Sequence, residues 1–264
     1  MFYSVIFYSI VTISAAILYR GFFQGKIDPS ILRRIIWDIL CFSFILIPVN
    51  IFFQRYAPHK AIMPGVPAYI ILIYIVGAVG LSLFFIVNFL RLLNIKRQSE
   101  RFHIGNIKCY IHNNAQLGCF SWWNNIYLPK NFKRWNEKEI KMVISHENAH
   151  IHHGHSIDLE MIQILCIFQW YNPAIWYFRK ELQRIHEYEA DLHVVKNTEI
   201  NKKSYEYFLL KESTSQSFGG TVQSFKSKSL RHRIIMMNYK SPKKNWVERG
   251  SIILILSILI SIFF

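Results

Sequence analysis

Four long apolar runs, the last set apart from the first three by a mixed segment of about 160 residues, set the organisation of the chain. Phe2 to Leu18 is uncharged and ends at Tyr19-Arg20. Ile35 to Phe53 carries Asp38 near one end and Pro48 near the other. Tyr69 to Leu90 is entered through Pro64-Gly65-Val66-Pro67, and Ser251 to Phe264 closes the sequence. About 20 helical residues at 1.5 Å each cross a ~30 Å hydrocarbon core, so the first three runs predict membrane spans. The first lacks the basic start and small-residue cleavage site of a signal peptide, which favours a retained anchor. The last covers only ~21 Å. It predicts either a span extended backwards through Trp246 and Val247 or a piece of something longer.

Between the third and fourth runs the pattern changes. Ile107–Ile111 and Asn125–Leu128 are short β-favouring runs separated by Asn113-Asn114 and Gly118, and they predict a small hairpin or sheet. A helical pattern begins at Asn136, with Glu137 and Glu139 favourable in its first turn. Ile140, Val143 and Ile144 make its buried side, and it ends near Gly154. Ile157–Trp170 predicts a second helix, broken at Asn172-Pro173, and about Ala174 to Val195 a third.

Charge orients the runs. The chain has 264 residues, is 52% hydrophobic and 16% aromatic, and still carries a formal charge of +15. Arg20, Lys26, Arg33 and Arg34 follow the first run; Arg91, Lys96, Arg97 and Arg101 follow the third; Lys240, Lys243, Lys244 and Arg249 precede the fourth. Only Arg55 and Lys60 lie in the second loop. The positive-inside bias therefore places the first loop and about 91–250 in the cytoplasm, with the N-terminus outside. The basic excess reads as flanks lying against anionic lipid, and no basic stripe with exposed aromatics argues for direct nucleic-acid binding. Cys41, Cys109, Cys119 and Cys166 form no C-x-x-C pair, so neither a disulfide framework nor a cysteine metal site is expected. Cys109 and Cys119 can approach across a hairpin but stay thiols in a reducing compartment.

The chemistry enters at His146-Glu147-Asn148-Ala149-His150, which matches H-E-x-x-H. Residues four apart share a helix face, so both imidazoles can reach one Zn²⁺, with Glu147 beside them as a base for water. Glu187 and Asp191 are likewise four apart on the third helix. Glu187 is the candidate third ligand, and Asp191 can accept the free N–H of a metal-bound histidine. Hydropathy alone would draw another span through Ile157–Phe178. That span would put His146 and Glu187 on opposite sides of the bilayer, and Asp158, Glu160 and Pro173 also argue against it. A buried helical hairpin, dipping at most into the interface, is expected instead. His152, His153 and His155 are expected to be solvated or to support the ligands, Glu189 to face solvent, and His186 to lie at the surface. Asp38 reads equally as an intramembrane charge or as one snorkelling to the interface. Ser229–Lys244 reads as an interfacial helix or a solvated linker.

With these motifs in place, the chain resembles the BlaR/MecR-type membrane metallopeptidases. Gly118-Cys119-Phe120 with Ile126-Tyr127-Leu128-Pro129 looks like their substrate-edge segment. Trp170-Tyr171-Asn172-Pro173 with Trp176 is similar to their aromatic-proline corner, and Ser229-Leu230-Arg231-His232-Arg233-Ile234 with Met236-Met237 to the block before their fourth span. The resemblance implies a mainly α, polytopic helical membrane protein with a cytoplasmic zincin-like (gluzincin) peptidase domain containing a small β element. It divides the chain into spans and loops over 1–93, a zinc peptidase over 94–248 and a C-terminal span over 249–264. It also implies an endopeptidase of the inner membrane with one Zn²⁺ held by His146, His150 and Glu187. Glu147 would be the catalytic base. The expected partners are a protein substrate (a transcriptional repressor or the chain itself) and membrane lipid, with a homodimer among the open oligomeric states. The antibiotic-sensing members carry a penicillin-binding domain after the fourth span, and β-lactam sensing is not expected from this sequence. Two other readings stand beside this one: a CaaX-prenyl-protease/HtpX-like quality-control protease, and a zinc-binding signalling scaffold without turnover.

Overall fold

The computed structural model describes residues 2–22, 28–41, 67–104, 107–114, 117–215 and 220–238. The chain is mainly helical with one small sheet, in two compact units.

The first unit comprises Met1–Phe84, Ile162–Leu182 and Ser241–Phe264. Its described helices are α1 (Phe2–Phe22), α2 (29–41), the first part of α3 (Ala68–Gln98), the end of α5 (His155–Phe168) and the start of α6 (Pro173–Asn197). Among the described residues, α3 is the one helix long and apolar enough to cross a membrane. It outruns the predicted run by two turns, because nothing after Leu90 breaks a helix until Ser99. Most of the second predicted span and all of the fourth lie outside the described residues; Asp38, at the described end of the second, is exposed. The aromatic-proline corner ties this unit together. Asn172 donates to Thr12 Oγ1 (2.8 Å) and its side-chain oxygen caps Ala174 N (3.0 Å). Trp170 Nε1 donates to Tyr74 O (3.3 Å), and Gly77 packs so closely on the Trp170 indole that a Cβ there would collide with the ring.

The second unit, Phe85–Met161 with Gln183–Lys240, carries the sheet. Four strands run in the order β1-β2-β4-β3: β1 (Glu100–Ile104), β2 (Ile107–His112), β3 (Phe120–Trp122) and β4 (Asn125–Pro129). β2 and β4 pair in parallel, Cys109 opposite Ile126 and Ile111 opposite Leu128, while the outer pairs are antiparallel. The sequence pattern predicted the strands over 107–111 and 125–128 but not the order. Of the two stretches likened to a substrate-edge segment, the one around Ile126–Pro129 is a central strand, and the edge is Phe120–Trp122. The turn joining them is the reason. Trp122 pairs with Asn125 across a two-residue loop, and Trp123 takes φ +51°, a conformation glycine usually fills. Trp123 is held there from α5 (His155–Phe168), its backbone N–H donating to Ser156 Oγ (3.1 Å) and its indole to Glu160 Oε1 (2.8 Å).

α4 (Glu137–His152) packs on β3 and β4. Asn136 caps it as expected: its side chain accepts from Glu139 N (2.8 Å) and Glu139 Oε2 accepts from Asn136 N (3.0 Å). The helix stops at Gly154, whose φ of +69° suits a glycine. Met142, Val143 and Ile144 join Ile126, Leu128, Phe132, Val194, Tyr205 and Phe208 in the core. α6 (Pro173–Asn197) brings Val194 to this core, and α7 (Lys202–Ser215) packs against α8 (Gly220–Asn238). The stretch read as an interfacial helix or linker over 229–244 is therefore, through residue 238, a helix of this unit, with Met236 and Met237 buried.

Along α5, Ile162 and Cys166 are buried, while Ile157, Met161, Ile164 and Phe168 lie about half exposed on the other face. The predicted buried helix is thus buried on one face only.

Candidate metal centre

Val143, Glu147 and His150 continue one face of α4, with His146 a turn before His150, so helical period alone turns the motif towards α6. There it meets Glu187. His146 Nε2 and His150 Nε2 lie 3.2 Å apart, and Glu187 oxygens lie 3.6 and 3.7 Å from them. Tetrahedral ligands at about 2.1 Å from a divalent ion stand about 3.4 Å from one another, so these three groups have the spacing of a ligand set. Two imidazoles and a carboxylate are also a donor chemistry that suits such an ion. Among the described residues this is the one group of three or more such side chains with ligand atoms within 4.8 Å of one another.

A ligand histidine must turn a lone pair inward, and hydrogen bonds at the other nitrogen enforce this on both rings. His146 Nδ1 donates to Tyr205 Oη (2.9 Å), which donates to Asp191 Oδ1 (2.8 Å). Asp191 lies 3.3 Å from His146 Nδ1, so the predicted link between them exists, with Tyr205 as its shorter path. Arg233 grips the fully buried Asp191 through Nε and Nη2 at 2.7 and 2.6 Å and reaches Glu187 Oε2 through Nη1 at 3.0 Å. Burial opposes ionisation of Asp191 and Glu187, but Arg233 and His146 outweigh it and hold both below the usual carboxylate range.

On the second ring, His150 Nδ1 meets His155 Nδ1 at 2.7 Å, and His155 Nε2 donates to Glu189 Oε2 at 2.9 Å. Here two expectations are corrected, for His186 and Glu189, while His155 takes the ligand-supporting one of its two expected roles. His155 and His186 are each only 2% exposed and Glu189 only 7%. None faces solvent: His186 stacks on His155 at 3.9 Å and its Nε2 bonds Asp158 at 3.0 Å. Nothing local to Asp158 or Glu189 hints at such pairing, since the partners lie on different helices. Burial, together with the His146 charge, pulls the His150 pKa down to about 3, which keeps that ring neutral. Against burial, Asp191 and Glu187 push His146 up to about 10, so an ion entering the site displaces a proton from His146.

Glu147 is not in the ligand group. It is 7% exposed and lines the same cleft, of about 500 Å³, beside Ser121 of the edge strand. Burial raises its pKa, against the opposing pull of His146. A carboxylate poised upward in this way is a better general base near neutral pH. Cys119 also lines the cleft, but burial with Glu147 and Glu212 nearby pushes its thiol far up, so it stays protonated and is no nucleophile.

Tyr205→Phe removes the hydroxyl between His146 and Asp191 while keeping the ring in the core. Metal affinity is expected to fall about 10- to 100-fold, as losses of such orienting partners do. Competition with a chromophoric chelator measures it; unchanged affinity would show that the hydroxyl does not orient His146.

The profile of the family described as BlaR1 peptidase M56 matches residues 55–237, which include every residue of this cleft. Over 123 residues the chain is 28% identical to the regulatory protein BlaR1 of Bacillus licheniformis, covering 44% of this chain and 20% of that protein. The match thus spans about a fifth of the relative's length.

Proposed function

Since the chain belongs to the BlaR1 peptidase M56 family, we propose that it is a membrane-embedded zinc endopeptidase that acts in regulated proteolysis. The observation that carries this reading is the spacing of His146 Nε2, His150 Nε2 and Glu187, with a buried glutamate outside the ligand set. His146, His150 and Glu187 would hold one Zn²⁺, which when bound polarises a scissile carbonyl and acidifies water. Glu147 takes the proton from the attacking water and passes it to the leaving amine. Its raised pKa suits both halves of that transfer. Arg233 keeps Glu187 ionised and fixed, and Tyr205 with Asp191 holds His146 in the ligating tautomer. The free edge of β3 is suited to hold an extended substrate as an added strand alongside Ser121 and Glu147.

α3 anchors the protein in the inner membrane, and the cations at 91–101 set the peptidase unit on the cytoplasmic side. The substrate class is protein: the chain itself or a cytoplasmic repressor, in keeping with a family whose relative is a regulatory protein.

Incubation of the full chain in nanodiscs tests the reading by mass spectrometry. Self-cleavage fragments should accumulate with time, disappear with 1,10-phenanthroline and return when zinc is restored. Fragments unaffected by the chelator would overturn it.

A further inference from the structure

The histidine tract behind the motif supplies a second group of imidazoles that the cleft does not use. His152 and His153 close α4, and His193 lies on α6. Their ring centroids form a nearly equilateral triangle with sides of 5.3, 5.5 and 5.5 Å, and the planes are mutually inclined by 75°, 53° and 88°. A zinc–nitrogen bond of about 2.0–2.1 Å, extended to the ring centre, puts any two imidazoles on one tetrahedral ion about 5.2 Å apart. The candidate ligands His146 and His150, at 4.9 Å, give the same scale. Three rings on two helices therefore stand at the separation that one ion requires.

Their nitrogens are less tightly gathered than those of His146, His150 and Glu187. A half-turn about the Cβ–Cγ bond exchanges ring carbon for nitrogen and leaves each centroid in place, and this torsion is broad and two-fold in histidine. His152 is exposed and His153 and His193 are partly so, which leaves room for the turn. The position adds a second attraction. His153 is the C-cap of α4, where the helix presents its last carbonyls and the negative end of its dipole, which favours a cation.

We propose that His152, His153 and His193 form a second site for a divalent transition metal of the imidazole-preferring class, Zn²⁺ or Cu²⁺, with water completing the coordination. It is open to solvent and lacks a carboxylate ligand, so it binds more weakly than the cleft. His153 also stacks on His155 (5.5 Å between centroids, 16° between planes), so an ion there braces the ring that orients His150.

Elemental analysis of the full chain in nanodiscs, equilibrated with buffered Zn²⁺, tests the site without any assay of cleavage. The H152A/H193A protein should hold one ion fewer than the wild type, and H193A alone should weaken that ion on the order of ten-fold or more. The H146A/H150A protein should retain it and, loaded with Cu²⁺, show imidazole nitrogens in its paramagnetic resonance spectrum. An unchanged zinc count in H152A/H193A would overturn the second site. A failure of the cleft appears in a different protein, as an unchanged count in H146A/H150A. Near-ultraviolet circular dichroism confirms that each variant is folded before counting.

Discussion

Glu147→Gln should leave the bound metal in place and reduce peptide-bond cleavage by about 10²- to 10⁴-fold, the contribution typical of a positioned proton carrier. The two halves of that result have separate causes. The proposed ligand atoms are those of His146, His150 and Glu187, so the amide removes none of them. What it removes is the proposed proton acceptor. Folding provides an internal control. Burial raises the Glu147 pKa above its unfolded value, so the ionised form weakens the fold as pH rises. Glutamine relieves that cost, and the unfolding temperature should stay level or increase. A variant that keeps metal and fold but still cleaves would remove Glu147 from its assigned role.

Arg233→Ala should have the largest effect on the integrity of the site. Asp191 is fully buried and receives two short hydrogen bonds from the guanidinium. Removing one member of a buried pair strands the other charge, typically at about 3–5 kcal/mol. The unfolding temperature should fall, and metal should be lost with it, because Glu187 also loses its 3.0 Å contact. Arg233→Lys should rescue little, since an ammonium cannot make the two parallel bonds to Asp191. Asp191→Asn added to Arg233→Ala should recover part of the stability but not the metal affinity. Calorimetry and metal analysis of the three proteins read this out. Full metal binding by Arg233→Ala would show that the arginine serves only the fold.

These partners mark where sequence reading stops. His146, Glu147 and His150 were legible because helical period is local: four residues fix a shared face whatever surrounds it. Glu187 and Asp191 followed from the same period on α6, and the topological argument that kept Ile157–Phe178 from crossing a bilayer is what let the two faces meet. Tyr205 lies on another helix and left no periodic trace. Arg233 stood within a block already singled out for its resemblance to family members, but nothing local says that a guanidinium there reaches back to α6. Glu189 and His186 illustrate the opposite error. On their own helix they looked like solvated polar residues, and each is buried against a partner on α5, His155 and Asp158 respectively. In the sheet, β-favouring composition identified β4 as a strand, but strand order depends on a turn at Trp123 that tertiary hydrogen bonds impose against its own preference.

The central claim is that His146, His150 and Glu187 hold one metal ion. X-ray absorption at the zinc edge, on H152A/H193A protein loaded with one equivalent of zinc, tests it most directly. The account predicts a four-coordinate shell with two imidazole nitrogens and oxygen ligands at about 2.0–2.2 Å, and loss of the signal in the same protein carrying Glu187→Ala and His146→Ala. A shell without paired imidazoles, or one unchanged by those substitutions, would contradict it.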